Sequence, residues 1–505
     1  MTTRPAYVPG TLTAGEQRFE QLRQRAGAIL APLVFVALLL APLDGLKPEA
    51  HRLAAVTATV VVLWVTEALP LPATALLGAT LSVALRVAPA REVFAPFADP
   101  LMFLFIGAFI LSRAIFLHGL DRRVAYGVLG IRWIGARPGR ILLAFGATTA
   151  AISAWISNTA TTAMMFGIGM SILAFLYAEE GGARVDPRYA TGLMLMTSFS
   201  ASIGGLATPV GTPPNLIGLG FMRELLGVEF SFFRWMMIGV PVVAVLYAIL
   251  YLYLNLLSPA GVREIPGSAE LIRRERDRLG PWTRGQRSVV IAFAVTVTLW
   301  VVPGIIALVA GERSTLYQAV NRSVPEAVAA LVGALLLFVL PGGADGGRAI
   351  TWEEAMKIDW GVVLLYGGGF ALGVLSFQTG LAEAVGRGLT GLLPVSGELG
   401  LLVASVVVAV VVSEATSNTA AANMVVPVVI SIAAASGVDP FQPALGATLA
   451  ASLGFMLPVS TPCNAIVYGS GYIPLGRMIR YGILLDLAGM VVIVFAVRLL
   501  APLVR

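Results

Sequence analysis

Two copies of one polar tetrapeptide interrupt long apolar stretches of this chain: Ser157-Asn158-Thr159-Ala160 and Ser417-Asn418-Thr419-Ala420. A second matched pair follows them. Pro209-Val210-Gly211-Thr212-Pro213-Pro214-Asn215 comes after the first, and Pro458-Val459-Ser460-Thr461-Pro462-Cys463-Asn464 after the second. Serine, asparagine and threonine are good helix N-caps. A helix start beside them offers free N–H groups and the positive end of the dipole to an anion. Their hydroxyl and amide oxygens, with nearby carbonyls, can also coordinate a small hard cation, so one tripeptide can hold both ions side by side. The paired prolines remove N–H donors, break the helix and free more carbonyls as ligands. Thr212, Asn215, Thr461 and Asn464 add polar groups there.

Such breaks are costly in hydrocarbon unless they line a cavity or meet a ligand. Seeing them twice, in the same order, points to one binding site built from two related halves. Neither tripeptide stretch contains Arg, Lys or His after Arg140. An anion held there depends on helix termini, hydroxyls and bound cations, which favours a cation-coupled design.

The elements that position these residues are membrane spans. The 505 residues are 57% hydrophobic and 12% charged, with mean hydropathy +0.86, whereas soluble domains run near a quarter charged. Many runs reach the roughly 20 apolar residues needed to cross a bilayer. The net charge of +6 comes from arginines clustered in loops, an orientation signal rather than a sign of nucleic-acid binding. A single cysteine, Cys463, excludes an intramolecular disulfide. Lysine is confined to Lys47 and Lys357 while arginine and alanine abound, a bias of GC-rich bacterial genomes. Residues 1–26 lack the apolar core of a cleavable signal and read as a cytoplasmic tail.

Eleven crossings are expected, near 27–43, 52–69, 71–87, 100–118, 189–222, 234–257, 288–308, 324–340, 359–378, 443–473 and 479–501. The stretches 139–177 and 399–436 are too long for one crossing and too short for two plus a turn. Each has Ser-Asn-Thr near its middle and is expected to form a re-entrant hairpin that turns at the tripeptide. With the N-terminus inside, the arginine-rich segments 121–140 and 258–287 and the pair Arg477/Arg480 fall inside, in keeping with the positive-inside tendency. The chain then divides into a tail (1–26), a first span with outer loop (27–51), repeat 1 (52–257), a charged cytoplasmic loop (258–287) and repeat 2 (288–505). Five crossings per repeat make the second enter the membrane upside down. The expected fold class is therefore an all-α polytopic membrane protein with inverted-topology repeats, its hairpin tips meeting near the midplane.

The pattern resembles the divalent anion/sodium symporter family. The resemblance rests on Trp155-Ile156-Ser157-Asn158-Thr159-Ala160, Ser417-Asn418-Thr419-Ala420 and Gly211-Thr212-Pro213-Pro214-Asn215. It rests also on Trp64-Val65-Thr66-Glu67-Ala68-Leu69-Pro70-Leu71-Pro72 and on the segment from Ala451-Ser452 through Asn464 to Val467. It implies two co-transported Na⁺ ions flanking the anion. One would be held by Ser153, Ser157, Asn158 and the backbone of Gly211, the other by Ser413, Thr416, Asn418 and Ser460, partly through carbonyls. The substrate carboxylates would meet Ser157, Asn158, Thr159, Ser417, Asn418 and Thr419, with Thr212, Pro213, Thr461 and Pro462 around them. It further implies a homodimer and an elevator motion of a transport domain against a scaffold. Ser413 stands where a Thr is common, and Cys463 where a second Pro often occurs.

The function expected on these grounds is Na⁺-coupled import of C4-dicarboxylates such as succinate, malate and fumarate across the cell's inner membrane, with no enzymatic step and no nucleic-acid partner. A dicarboxylate exchanger, and Na⁺-coupled citrate or sulfate transport, are the alternatives. An intramembrane serine protease would need a base beside its nucleophile. The histidines, His51 and His118, fall near span ends instead. An anion channel would more often use rings of charge or a continuous pore. Glu414 reads as support for the second cation loop. Glu67 reads as a span-end carboxylate, and Gly367-Gly368-Gly369 as close helix packing.

Overall fold

The computed structural model describes residues 14–43, 45–177, 185–265, 267–311, 313–343, 346–390 and 397–504. Among them the chain is helical throughout, with one isolated bridge between Pro341 and Arg348. Residues 1–13 of the expected tail lie outside the described residues.

Eleven helices are long and apolar enough to cross a bilayer. The number matches the expected crossings, but the set differs. It includes Asn158–Leu176, Gly397–Ala415 and Asn418–Ala435, which are arms of the two hairpins. Three expected crossings fall outside that set. Leu71–Ala84 is a single short apolar helix. Glu326–Val339 bends 54° from the preceding Thr315–Ser323. The stretch 443–473 is split into Phe441–Ala450 and Pro462–Tyr468. The crossing near 189–222 is split likewise, into Pro187–Gly204 and Pro213–Leu226.

The first helix begins within the expected tail. Ala14–Leu40 runs unbroken for 27 residues, so the polar stretch from residue 14 onward is helical. Arg23 pairs with Glu20 one turn away at 2.8 Å and with Glu67 across the groove at 3.2 Å. Gly27 lets this helix close on its neighbour, since a Cβ there would lie 1.9 Å from Thr66 Oγ1.

Burial sorts the helices into a centre and a rim. The span window of Pro187–Ala207 is 100% buried by protein, whereas that of Arg18–Leu40 is 11% buried. The central helix can therefore carry Thr191, Thr197, Ser198, Ser200 and Ser202 without exposing a hydroxyl to lipid. Rim helices such as Arg284–Ala310 and Leu475–Val504 present Leu308, Val309, Phe495 and Leu499 outward.

Around the centre, the two halves exchange arms. Helix Pro462–Tyr468 packs on Asn158–Leu176, the second arm of the first hairpin. Helix Pro213–Leu226 packs on Asn418–Ala435, the second arm of the second hairpin. Each broken helix thus braces the opposite hairpin. The glycine triplet serves close packing, as expected. A Cβ at Gly367 would lie 2.6 Å from Phe97, one at Gly368 2.6 Å from Ala75, and one at Gly369 2.0 Å from Asn423.

Candidate functional site

The hairpin turns are capped alike. The first hairpin runs through Pro138–Ser153 and Asn158–Leu176, the second through Gly397–Ala415 and Asn418–Ala435. Ser157 Oγ accepts the Ala160 N–H at 3.2 Å, and Ser417 Oγ accepts the Ala420 N–H at 3.2 Å. Each serine satisfies one of the orphan donors at its helix start. Trp155 anchors the first tip, stacking on Phe232 and meeting Phe293 edge-on at 5.3 Å.

The proline breaks are held open by asparagine. Asn215 Nδ2 donates to Gly205 O at 3.0 Å and Thr208 O at 2.8 Å. Asn464 Nδ2 donates to Gly454 O at 2.9 Å and Leu457 O at 3.0 Å. In both halves the acceptors lie ten and seven residues before the asparagine. These amides replace donors that the prolines remove, and both asparagines are fully buried. Ser198 Oγ donates to Asn464 Oδ1 at 2.6 Å and ties the second break to the central helix.

One cavity of about 740 Å³ collects the two tips and the two breaks. It is lined by Ser157, Asn158, Thr159, Gly211, Thr212, Pro213, Ser417, Asn418, Thr419, Ser460, Thr461 and Pro462. All ten residues expected around the substrate carboxylates therefore face one space. Ser153, Ser413 and Thr416 do not line it; they are buried immediately behind the tips.

Oxygen atoms converge behind each tip. In the first half, one terminal atom of the Asn158 amide lies 2.7 Å from Ser153 Oγ, 3.1 Å from Ala201 O and 3.2 Å from Gly211 O. As nitrogen it donates to the two carbonyls. As oxygen it completes an all-oxygen cluster that a cation would hold together, so the donor set fits Na⁺. In the second half, Ser413 Oγ lies 2.8 Å from both Asn418 Oδ1 and Ala451 O. Asn418 Nδ2 donates to Ser452 O at 3.3 Å. The Thr416 hydroxyl donates to Val412 O at 2.9 Å, which fixes the side chain and leaves its oxygen lone pairs free. The Ser460 hydroxyl turns to the carboxylate and carbonyl of Glu414.

Sequence reasoning missed the wall facing the tips. Phe109, Ser112, Arg113, Lys357, Asp359 and Leu365 line it, and Ser202 and Cys463 line the floor. Arg113 and Lys357 both grip Glu354, with closest contacts of 2.6 and 2.5 Å. Lys357 and Arg113 hold the Glu354 carboxyl below its ordinary value of 4.5. No motif announced these residues, because they are separate in sequence and meet only through the fold. The histidines are spent on carbonyls: His51 Nε2 lies 2.6 Å from Leu38 O, and His118 Nε2 lies 2.6 Å from Ala349 O. Neither lines the cavity.

An all-helical, multi-span chain with paired broken helices and two polar hairpin tips around one cavity is built as a membrane transporter. Residues 23–504 match the family described as "Sodium:sulfate symporter transmembrane region", and the chain belongs to that family, the divalent anion/sodium symporters. It is 34% identical over 494 residues to the "Sodium-dependent dicarboxylate transporter SdcS" of Staphylococcus saprophyticus, covering 96% of this chain and 93% of that one. Identity to the protein of the same description from Staphylococcus aureus is 34% over 491 residues, covering 95% and 92%. Two solved structures share the fold at low identity. The Alcanivorax borkumensis YdaH transporter has a TM-score of 0.55 at 14% identity, covering 95% of this chain and 97% of that one. Neisseria gonorrhoeae MtrF has a TM-score of 0.55 at 11% identity, covering 94% of each.

Proposed function

We propose that this protein couples Na⁺ entry to import of C4-dicarboxylates such as succinate, malate and fumarate. The observation that carries the reading is the convergence of both Ser-Asn-Thr tips on one cavity, each backed by its own oxygen cluster. The dianion lies between the tips. Its carboxylates take N–H groups from the two helix starts and hydroxyls from Thr159, Thr212, Ser417, Thr419 and Thr461. Na⁺ ions held by Ser153, Ser157, Asn158 and Gly211, and by Ser413, Thr416, Asn418 and Ser460, offset its charge. The Ser460 hydroxyl donates to Glu414, which fixes the second loop and leaves its oxygen lone pairs for the ion. The relatives described as sodium-dependent dicarboxylate transporters support both the ion and the cargo.

In this reading the halves are inverted repeats and both hairpins are re-entrant. The hairpins and broken helices move as one transport domain against a scaffold, in an elevator cycle within a homodimer of the inner membrane, with the N-terminus cytoplasmic. No chemical bond is made or broken, so the protein acts as a carrier and not an enzyme. Exchange without Na⁺ would need free positive charge at the tips. The cations nearest the cavity, Arg113 and Lys357, are paired to Glu354 instead.

The test is uptake into proteoliposomes from a panel of radiolabelled succinate, malate, fumarate, citrate and sulfate, with Na⁺ or choline outside. Succinate uptake that requires Na⁺ and is competed by malate and fumarate is expected. Equal uptake with choline overturns the coupling, and preference for citrate or sulfate overturns the cargo.

A further inference from the structure

Glu414 and Asp486 form a buried pair of carboxyl groups on the far side of the second hairpin turn, away from the cavity lining. Glu414 comes from the last turn of the hairpin's first arm and is 6% exposed. Asp486 comes from helix Leu475–Val504 and is 2% exposed. Glu414 is well supplied with donors. Its Oε1 accepts the Met456 N–H at 2.7 Å, and its Oε2 accepts the Ser460 hydroxyl. Asp486 is not. Neither of its oxygens receives a hydrogen bond of normal geometry, and its helix packs on Gly397–Ala415, the arm that carries Glu414.

The helix carrying Asp486 is shaped to deliver it there. Gly482 lies one turn before Asp486 and Gly489 one turn after, on the same face. A Cβ at Gly482 would lie 2.4 Å from Phe455 O and 2.5 Å from Met456 Cα, and one at Gly489 would lie 2.6 Å from Leu453 Cδ1. The two glycines press the helix flush onto the broken segment 453–456 and aim Asp486 into it. An unpartnered acid inside a membrane protein, directed at a second acid, is costly unless a cation or a proton neutralises one of the pair. The two carboxyls supply hard oxygens, and that of Glu414 is held in place by the Met456 N–H and the Ser460 hydroxyl. Such a set suits an alkali cation rather than a transition metal.

We infer that Glu414 and Asp486 form a further Na⁺ site, behind the second tip and separate from the ions that flank the substrate. The site rests on the Na⁺-coupled reading above and extends it. A cation there fastens helix Leu475–Val504 to the hairpin turn through Glu414, Ser460 and Met456. Its occupancy thereby sets the geometry of the second tip. It also adds one positive charge to each transport cycle.

The experiment compares the Na⁺-to-succinate flux ratio, from reversal potentials in proteoliposomes, for the wild type and Asp486→Asn. The asparagine keeps the size and hydrogen-bonding capacity of the side chain and removes its charge. The ratio is expected to fall by one Na⁺ per succinate. An unchanged ratio overturns the site, including the case in which the two acids merely share a proton. Crystals of the wild-type protein soaked in Tl⁺ supply a readout that no folding defect of the variant can obscure. An anomalous peak between Glu414 and Asp486 supports the site, and peaks confined to the tips overturn it. Failure of the wild type to take up succinate with Na⁺ would count against the transport reading, while the Tl⁺ peak would still decide the site.

Discussion

Gly205 and Gly454 occupy matching places in the two halves, each ten residues before the asparagine that holds its break open. The structure sets them very different tolerances for a methyl group. A Cβ on Gly205 would lie 2.5 Å from Asn158 Oδ1 and 3.0 Å from Asn158 Nδ2. Restoring an ordinary contact of 3.4 Å means moving the amide by about 0.9 Å. That displacement breaks its close approach to Ala201 O and Gly211 O, now 3.1 and 3.2 Å. A Cβ on Gly454 would lie 3.4 Å from Asn418 Oδ1 and 3.5 Å from Ser413 Oγ, which is ordinary contact. Gly205 has φ −58°, a conformation that alanine adopts freely, so backbone strain does not enter the comparison. Overpacking of this kind costs about 1–3 kcal/mol. Directed at a cation ligand, that cost weakens Na⁺ affinity by roughly 5–150-fold. Gly205→Ala is therefore expected to raise the Na⁺ concentration for half-maximal succinate uptake by at least about fivefold. Gly454→Ala is expected to shift it by less than about twofold, since its methyl group meets no close contact. The assay is Na⁺ titration of initial uptake rates in proteoliposomes at matched protein density. Equal responses of the two variants, or a larger effect at Gly454, would refute the assignment of the Asn158 cluster as a cation site.

Three other outcomes follow from the same geometry. Asn158→Ala and Asn418→Ala each remove a tip amide and are expected to abolish uptake while elution from size-exclusion chromatography stays that of the wild type; normal uptake by either would contradict its role. Asn464→Ala strips donors from the buried carbonyls of Gly454 and Leu457 and the acceptor from Ser198, so a loss of about 2–5 kcal/mol is expected, read as a lowered midpoint in thermal unfolding. The Glu354 carboxyl is held below its ordinary value of 4.5 by Lys357 and Arg113. Its contribution to stability is therefore full above that value and fades as pH falls through the lowered one. The gap in thermal midpoint between wild type and Glu354→Gln should stay constant from neutral pH down to about 4.5 and close below it; a gap that closes above pH 6 would contradict the pairing.

Much of the site was legible in the sequence because its polar breaks are rare events in apolar surroundings. Ser157-Asn158-Thr159 and Ser417-Asn418-Thr419 could sit inside hydrocarbon-length runs only by facing a cavity, and they do face one. The proline pairs marked the helix breaks at 205–212 and 451–461 for the same reason. The asparagines beside them were legible as polar groups but not as backbone supports, since that role depends on which carbonyls the break leaves free. Arg113, Lys357 and Ser202 were hidden. Their chemistry appears only when distant helices meet, and no local pattern encodes that meeting. That the expected tail is helical from Ala14 was likewise not legible, and the pairing of Arg23 with Glu67 joins residues far apart in sequence. The expected crossing near 324–340 read as a simple apolar run, whereas a 54° bend precedes it.

The account turns on a doubly charged guest held between the two hairpin tips. A cryo-electron microscopy map of the protein in nanodiscs with saturating succinate and Na⁺ tests that directly. Density bridging Ser157-Asn158-Thr159 and Ser417-Asn418-Thr419, absent when succinate is withheld, is the predicted result. Succinate density on one tip alone, or anywhere outside this cavity, would contradict it.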